Sequence, residues 1–236
     1  MRFCAIVAAG GSGERFGQPK QLIDVTGRPM VAWSFAAFEE LAELDHMVIA
    51  TEPAHLERME SLARAFASHL RTRVVASGPT RQGSVRNALA AVPDACDGVF
   101  VHDGARPLVR ARDIRAGMAV VGPGVGAVLA TPLADTIKVV PRGTRTVSRT
   151  LDRDELWAAQ TPQFASTADL RAAHAAAERD GIEATDDVSL LERIGIAVVV
   201  VPATSENFKV TTPEDRKRAE VLLSSRVREG AALESR

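Results

Sequence analysis

Between positions 6 and 22 the chain reads IVAAGGSGERFGQPKQL, an apolar run that gives way to Gly10, Gly11 and Gly13 and then to Arg15 and Lys20. Glycines let a backbone pass close to a bulky anion with its amides turned toward it, and cations just beyond them can meet the charge. That order suits a polyphosphate. Arg15 can hold two oxygens with its planar fork, and Lys20 is a compact mobile charge whose approach Pro19 stiffens. Two familiar phosphate loops fail on spacing. The dinucleotide fingerprint needs a glycine at its sixth position, where counting from Gly10 gives Arg15 and from Gly11 gives Phe16, and Thr51 rather than an acid follows the apolar run 47–50. The loop of nucleotide hydrolases needs Gly-Lys-Ser/Thr, whereas Gly17-Gln18-Pro19-Lys20-Gln21 stands here. A cradle for nucleotidyl transfer remains, since that reaction builds negative charge on non-bridging oxygens and on a departing pyrophosphate. Without the glycines, Arg15 and Lys20 would read equally well as surface cations.

Three further groups could carry chemistry. Asp103-Gly104-Ala105-Arg106-Pro107 closes an apolar run, and ligands of open sheets sit beyond the carboxyl ends of strands, so Asp103 could reach a ribose or a divalent ion. No second carboxylate stands near it, so the other ligands of an ion such as Mg²⁺ would be phosphates and water. His102 reads as a packed imidazole rather than a ligand. Lys209, between Phe208 and Val210, is either a strand residue reaching to solvent or a cation held at a pocket. Asp135 and Thr136 fit a turn as well as they fit a binding site.

The elements that would position these groups follow from periodicity. The short unalternated apolar run at 3–9 reads as a central strand covered on both faces, and 47–50, 72–76, 99–102, 127–130, 196–201 and 207–210 read as further strands. Helical spacing covers 29–43, 55–70, 84–91, 111–121, 168–179, 187–193 and 213–222, with Gly117 weakening the fourth of these. The expected fold is α/β: a three-layer arrangement with a mostly parallel sheet between helices. Residues 136–140 and 146–150, around Pro141-Arg142-Gly143, read as a hairpin whose Lys138, Arg142, Arg145, Arg149 and Arg153 are poorly matched by Asp152 and Asp154. An isolated hairpin is marginal in water, so this arm should lean on the body or on a second subunit. The expected organisation is a single domain over 1–225, with 136–158 as the arm and 226–236 as a frayed polar tail.

Composition bounds the function. The 236 residues carry 29 basic and 30 acidic side chains, a net charge of -1, so the surface as a whole has no commitment to nucleic acid or anionic lipid. Phosphate affinity must be local. Cys4 and Cys96 stand in apolar surroundings and read as reduced buried thiols. No run reaches the roughly 18 apolar residues of a membrane span, and a soluble cytoplasmic protein is expected.

Ala8-Ala9-Gly10-Gly11-Ser12-Gly13-Glu14-Arg15 with Pro19-Lys20-Gln21 resembles the signature of sugar-nucleotide-type nucleotidyltransferases. The segments 101–107, 134–138, 156–163, 185–187 and 207–211 resemble, more specifically, the 2-C-methyl-D-erythritol 4-phosphate cytidylyltransferase family, and the likeness runs from about residue 4 to residue 222. The resemblance implies a nucleotidyltransferase fold of the Rossmann-like, glycosyltransferase-A-like type with a protruding β-hairpin arm. It implies magnesium-dependent transfer of CMP from CTP to methylerythritol phosphate in the non-mevalonate route to isoprenoids. By motif position it puts Arg15, Lys20 and Lys209 in catalysis, and Ala8, Ala9, Gly10, Gly11, Gly13, Gly78, Ser84 and Asp103 on CTP, with Asp103 also the candidate metal ligand. It assigns the acceptor to Arg106, Thr136, Arg153, Lys209 and, as a weaker addition, Thr161, with Arg153 supplied by the other subunit of a homodimer joined through the arms. A phosphate monoester acceptor is already ionised near neutral pH, so no general base is needed. A cytidylyltransferase acting on another polyol phosphate, such as ribitol 5-phosphate, and a non-catalytic nucleotide sensor are the competing expectations.

Overall fold

The alternation of apolar runs and helical segments builds one open sheet covered on both faces. The computed structural model describes residues 1–11 and 19–234, with the side chains of the last helix described to residue 229. In chain order the elements are β1 (Phe3–Ala9), the short pair β2 (Asp24–Val25) and β3 (Arg28–Pro29), α1 (Met30–Glu39), β4 (Leu44–Thr51), α2 (Leu56–Phe66) and β5 (Arg71–Ala76). They continue as α3 (Arg81–Ala90), β6 (Gly98–Asp103), α4 (Ala111–Val120), β7 (Val125–Pro132), the arm strands β8 (Lys138–Val139) and β9 (Arg149–Thr150), and β10 (Trp157–Ser166). The chain finishes with α5 (Thr167–Arg179), α6 (Asp187–Arg193), β11 (Ala197–Pro202) and α7 (Pro213–Glu234).

The central sheet has seven strands in the order β11-β7-β10-β6-β1-β4-β5. All its pairings are parallel except the two made by β10. Strand alternation divides the core: Phe3, Ala5 and Val7 of β1 join Phe35 and Phe38 of α1, Met59 of α2 and Ile114 of α4 on one face. Cys4 and Ile6 point to the other face, among Val85 and Leu89 of α3, Leu170 of α5 and Leu190 of α6. A smaller apolar group, including Met30, Leu108, Val210, Ala219 and Leu223, seats α7. Both thiols are free and buried, as expected. No described helix is long and apolar enough to cross a membrane.

Two expectations are corrected, and one strand was not anticipated. The expected strand at 207–210 is an irregular segment, in which Val210 N–H donates to Ala105 O at 2.8 Å as a tie rather than as part of a ladder. The last helix does not stop at residue 222 but continues to Glu234; beyond 222, Leu223 is buried and Arg226 Nη1 donates to Leu108 O at 3.0 Å. The strand β10 went unread because Gln160, Pro162 and Gln163 break its apolar character; its pairing with β7 is irregular between Ala159 and Gln163, where those residues sit. The arm keeps its turn, with Gly143 at φ +80° and Thr144 N–H donating to Pro141 O at 3.2 Å, but its ladder is only two residues on each side.

Gly117 lies on the buried face of α4, and a Cβ there would fall 2.2 Å from a ring carbon of Phe164. Gly117→Ala should therefore lower stability: overpacking costs about 1–3 kcal/mol, offset by about 1 kcal/mol of helix propensity. Chemical denaturation reads the balance, and an unchanged or higher midpoint would mean that the Phe164 ring yields.

Candidate active site

The carboxyl ends of β6, β1, β4 and β5 lie side by side, and the loops leaving them enclose a cleft of about 520 Å³. Ala8, Ala9, Gly10 and Gly11 form one wall, and the turn from Ser77 to Arg81 with Ser84 forms another. Asp103, Lys20 and Lys209 complete the lining that carries charge, together with Arg81 and Glu52. The walls are close enough that glycine is required. A Cβ on Gly10 would lie 2.3 Å from Ser77 Cβ, and one on Gly78 would lie 2.6 Å from the Gly83 carbonyl carbon.

Side chains from beneath fix these walls. Gln21, 2% exposed, donates its amide to Ala9 O at 2.5 Å and to Gly11 O at 3.3 Å, so the residue after Lys20 clamps the start of the glycine loop. Ser84 Oγ accepts from Gly78 N–H at 3.1 Å and donates to Thr80 O at 2.8 Å. Thr80 caps α3 by accepting from Gly83 N–H at 3.1 Å.

Asp103 is the hub of the charges. Its Oδ1 lies 3.0 Å from Arg81 Nε, its Oδ2 lies 2.9 Å from Lys209 Nζ, and Arg106 Nε is 3.7 Å from Oδ2. Burial alone would raise the Asp103 carboxyl, but Arg81, Lys209 and Arg106 outweigh it and hold the group well below the usual carboxylate range. Burial likewise acts to depress Arg81, yet Asp187 and Asp103 reverse the effect and raise it above its ordinary value. At Arg106 burial prevails and the guanidinium is lowered.

Under this hub runs a neutral relay. Asp103 N–H donates to Thr161 Oγ1 at 3.0 Å, and Thr161 Oγ1 lies 3.2 Å from His102 Nδ1. His102 Nε2 is 3.1 Å from Arg106 O and 3.2 Å from Ser34 Oγ. With the Thr161 hydroxyl donating to Nδ1, Nε2–H is left to donate to Arg106 O, which fixes both ends of the turn that carries Asp103. Burial pushes the His102 imidazole down to about 4. The segment bearing Lys209 is laced to the same turn: Arg106 Nη1 donates to Asn207 O at 2.8 Å, and Asn207 Nδ2 donates to Thr161 O at 2.9 Å.

Thus Ala8, Ala9, Gly10, Gly11, Lys20, Gly78, Ser84, Asp103 and Lys209, distant in the chain, come together in one cleft. Gly13 and Arg15 lie outside the described residues. Arg106 touches the hub without lining the cleft, and Thr161 is 3% exposed beneath it. Thr136 and Arg153 sit on the exposed arm, where Arg153 Nη1 donates to Ala134 O at 3.0 Å. The residue that sequence reasoning passed over is Arg81, which ends a polar turn in the sequence; its neighbours Gly78, Thr80 and Ser84 are the only local signal of its position.

Among the described residues no three carboxylate, imidazole or thiol groups are grouped to hold a metal ion. Both oxygens of Asp103 are engaged by cations, so this donor set does not suit a resident ion and fits at most one delivered on a polyphosphate.

A glycine-walled, cation-bearing cleft at the carboxyl edge of a mostly parallel, three-layer sheet defines a nucleotidyltransferase. Residues 3–225 match the model of the IspD family, 2-C-methyl-D-erythritol 4-phosphate cytidylyltransferase. The chain belongs to that family. It is 38% identical to the 2-C-methyl-D-erythritol 4-phosphate cytidylyltransferase of Halalkalibacterium halodurans, over 97% of this chain and 100% of that one. It is 40% identical to the enzyme of the same name from Prochlorococcus marinus, over 94% of this chain and 98% of that one. The crystal structure of 2-C-methyl-D-erythritol 4-phosphate cytidylyltransferase from Thermus thermophilus superposes with a TM-score of 0.76 at 32% identity, covering 94% of this chain and 98% of that one.

The relay makes a pH prediction. His102 is neutral in the fold down to about 4 while the unfolded imidazole protonates near 6.5. The unfolded state therefore takes up the proton first, so stability should be complete above 6.5 and be lost as pH falls toward 4, by roughly 3 kcal/mol. Denaturation at pH 7 and pH 4.5 should show a larger acid loss for the wild type than for His102→Gln; equal losses would mean that the imidazole titrates normally in the fold.

Proposed function

We infer that this chain transfers CMP from CTP to the phosphate of 2-C-methyl-D-erythritol 4-phosphate, giving 4-diphosphocytidyl-2-C-methyl-D-erythritol and pyrophosphate. The observation that carries this reading is the family match across residues 3–225, which coincides with a cleft where Lys20, Arg81 and Lys209 meet backbone-lined glycine walls. An acceptor phosphate oxygen attacks the α-phosphorus, a new P–O bond forms, and the bond to the β-phosphate breaks with its electron pair leaving on pyrophosphate. Two anions must approach each other, and cations drawn from separate segments offset that repulsion while aligning the attack.

In this reading Arg15 and Lys20 stabilise the triphosphate as it departs. Ala8, Ala9, Gly10, Gly11, Gly13, Gly78 and Ser84 hold the base and phosphates, and Asp103 meets the ribose. Lys209 and Arg106 orient the acceptor with Thr136 and Arg153, and Thr161 contributes by seating the Asp103 turn. Magnesium enters as part of the nucleotide substrate, where it neutralises phosphate charge. The arm over 136–158 joins two copies of a single-domain protein, 1–225, that works in the cytoplasm; the exposed Val140, Val147 and Trp157 on and beside the arm favour such a partner.

Pyrophosphate release should require CTP and be faster with methylerythritol phosphate than with ribitol 5-phosphate; the reverse preference would replace the acceptor. Lys20→Ala should lower turnover by about 10²–10³ while changing CTP affinity little, and equal losses in both would favour a nucleotide sensor. Arg153→Ala should raise the acceptor KM or lower turnover, and an equimolar mixture of Lys20→Ala and Arg153→Ala protomers should recover up to about a quarter of wild-type activity, because a two-fold dimer in which arms cross leaves one intact site in each mixed pair. Absence of recovery, once subunit exchange is verified, would place Arg153 in its own subunit's site or outside any site.

A further inference from the structure

Arg81 differs from the other cleft cations in how it is held. It opens α3, donates from Nε to Asp103 Oδ1 at 3.0 Å, and reaches with Nη1 to Asp187 Oδ2 at 2.8 Å. Asp187 is 2% exposed at the start of α6; its backbone N–H donates to Gln163 Oε1 at 2.8 Å, and its other oxygen lies 3.5 Å from Nε2 of the buried His174. A carboxylate so placed cannot swing out to solvent, and neither can the guanidinium paired with it. Lys209 is the contrasting partner: its side chain is 36% exposed, against 27% for Arg81 and 12% for Arg106. It is a point charge on a flexible stem, free of the two-carboxylate geometry that fixes Arg81. Arg106 cannot take over, since its Nε stands 3.7 Å from the carboxylate and its Nη1 is committed to Asn207 O.

An ionised carboxylate at 6% exposure loses much when a partner leaves it. A substrate phosphate that draws Lys209 Nζ away from Asp103 Oδ2 leaves Asp103 dependent on whatever still holds Oδ1. We propose that Arg81, braced by Asp187, is a positioning residue that fixes the Asp103 carboxylate for the nucleotide and keeps it paired while Lys209 moves from Asp103 to a substrate phosphate. This deepens the cytidylyl-transfer reading and rests on it for the identity of the nucleotide. Asp187 touches neither substrate; its effect passes through Arg81 to Asp103.

The test is a set of double-mutant cycles on the full chain. Asp187→Asn keeps the shape of the side chain and removes its charge, and calorimetry with CTP should show Kd rising about tenfold for it. On an Asp103→Asn background the same change should add less than twofold, because the group being positioned is gone. Arg81→Lys should lose as much as Asp187→Asn, since lysine lacks the planar fork that meets Asp103 from Nε and Asp187 from Nη1, and the two changes together should lose little more than either. Denaturation midpoints read the brace without any ligand: the shifts from Asp103→Asn and Asp187→Asn should be non-additive with Arg81 present and additive on an Arg81→Met background. Additive shifts with Arg81 present, or unchanged CTP affinity in Asp187→Asn, would overturn the proposal. A wild-type protein that neither binds CTP nor releases pyrophosphate would overturn the functional reading instead, and the denaturation cycle would still decide whether the brace exists.

Discussion

A carboxylate nearly excluded from water has to be paired, and the pairing of Asp103 is the constraint around which this fold is arranged. Desolvation works against its charge, and Arg81, Lys209 and Arg106 reverse the balance. Each of those cations comes from a different stretch of chain, so holding them in one place obliges the end of β6, the start of α3 and the segment after β11 to meet. The sheet supplies that meeting point because β6 and β1 run in parallel and end together, with Ala8 paired to Asp103. Gly104 N–H then donates to Ala8 O at 3.0 Å, which turns the chain away directly after the carboxylate.

The same crowding explains why the cleft is walled by backbone. Gly10 and Gly78 have no room for a Cβ, since Ser77 and Gly83 occupy that space. The walls thus expose amides and carbonyls rather than side chains, and the charged groups enter from outside the walls. Gln21 shows how economical the arrangement is: its one amide ties the loop after β1 to the short helical turn that begins with Lys20. Position in this cleft is therefore set by hydrogen bonds from buried side chains, while the cations reach in from outside the walls, Arg81 fixed between two carboxylates and Lys209 more exposed.

The sequence made the layered α/β fold and most of the cleft legible, for identifiable reasons. Buried parallel strands such as β1 and β6 are continuous apolar runs, and the glycines declare close backbone approach. What escaped was held by contacts between residues far apart in the chain. The strand β10 carries Gln160 and Gln163, whose amides serve Asn207, Thr204, Asp186 and the first turn of α6, so its polarity reflects tertiary bonding and hides the strand. Residues 207–210 gave the opposite error: Phe208 and Val210 alternate with Asn207 and Lys209 as a strand would, but the Asn207 side chain is taken up by Gln160 and Thr161 of β10 and that of Lys209 by Asp103. Arg81 was invisible because neither of its carboxylate partners is near it in sequence, and an arginine in a polar turn is ordinarily a solvated one. Gly117 was read as a helix weakness when its absent side chain is the space that Phe164 fills.

Electrostatics links the hub to the chain as a whole. Net charge is only -1, so no general field draws anions to this protein, and the cations of the cleft have to act over short distances. Their positive excess is partly cancelled by Asp103 until something more negative arrives. A polyphosphate brings several charges against the single charge of the carboxylate, and Coulomb attraction in a partly desolvated cleft then favours the phosphate as the partner of Lys209, whose side chain is more exposed than that of Arg81 or Arg106. Asp103 can therefore serve as a placeholder, keeping Lys209 within the cleft before any anion is bound. That service is compatible with stability only because the other side of the carboxylate is held by a guanidinium that Asp187 does not let go.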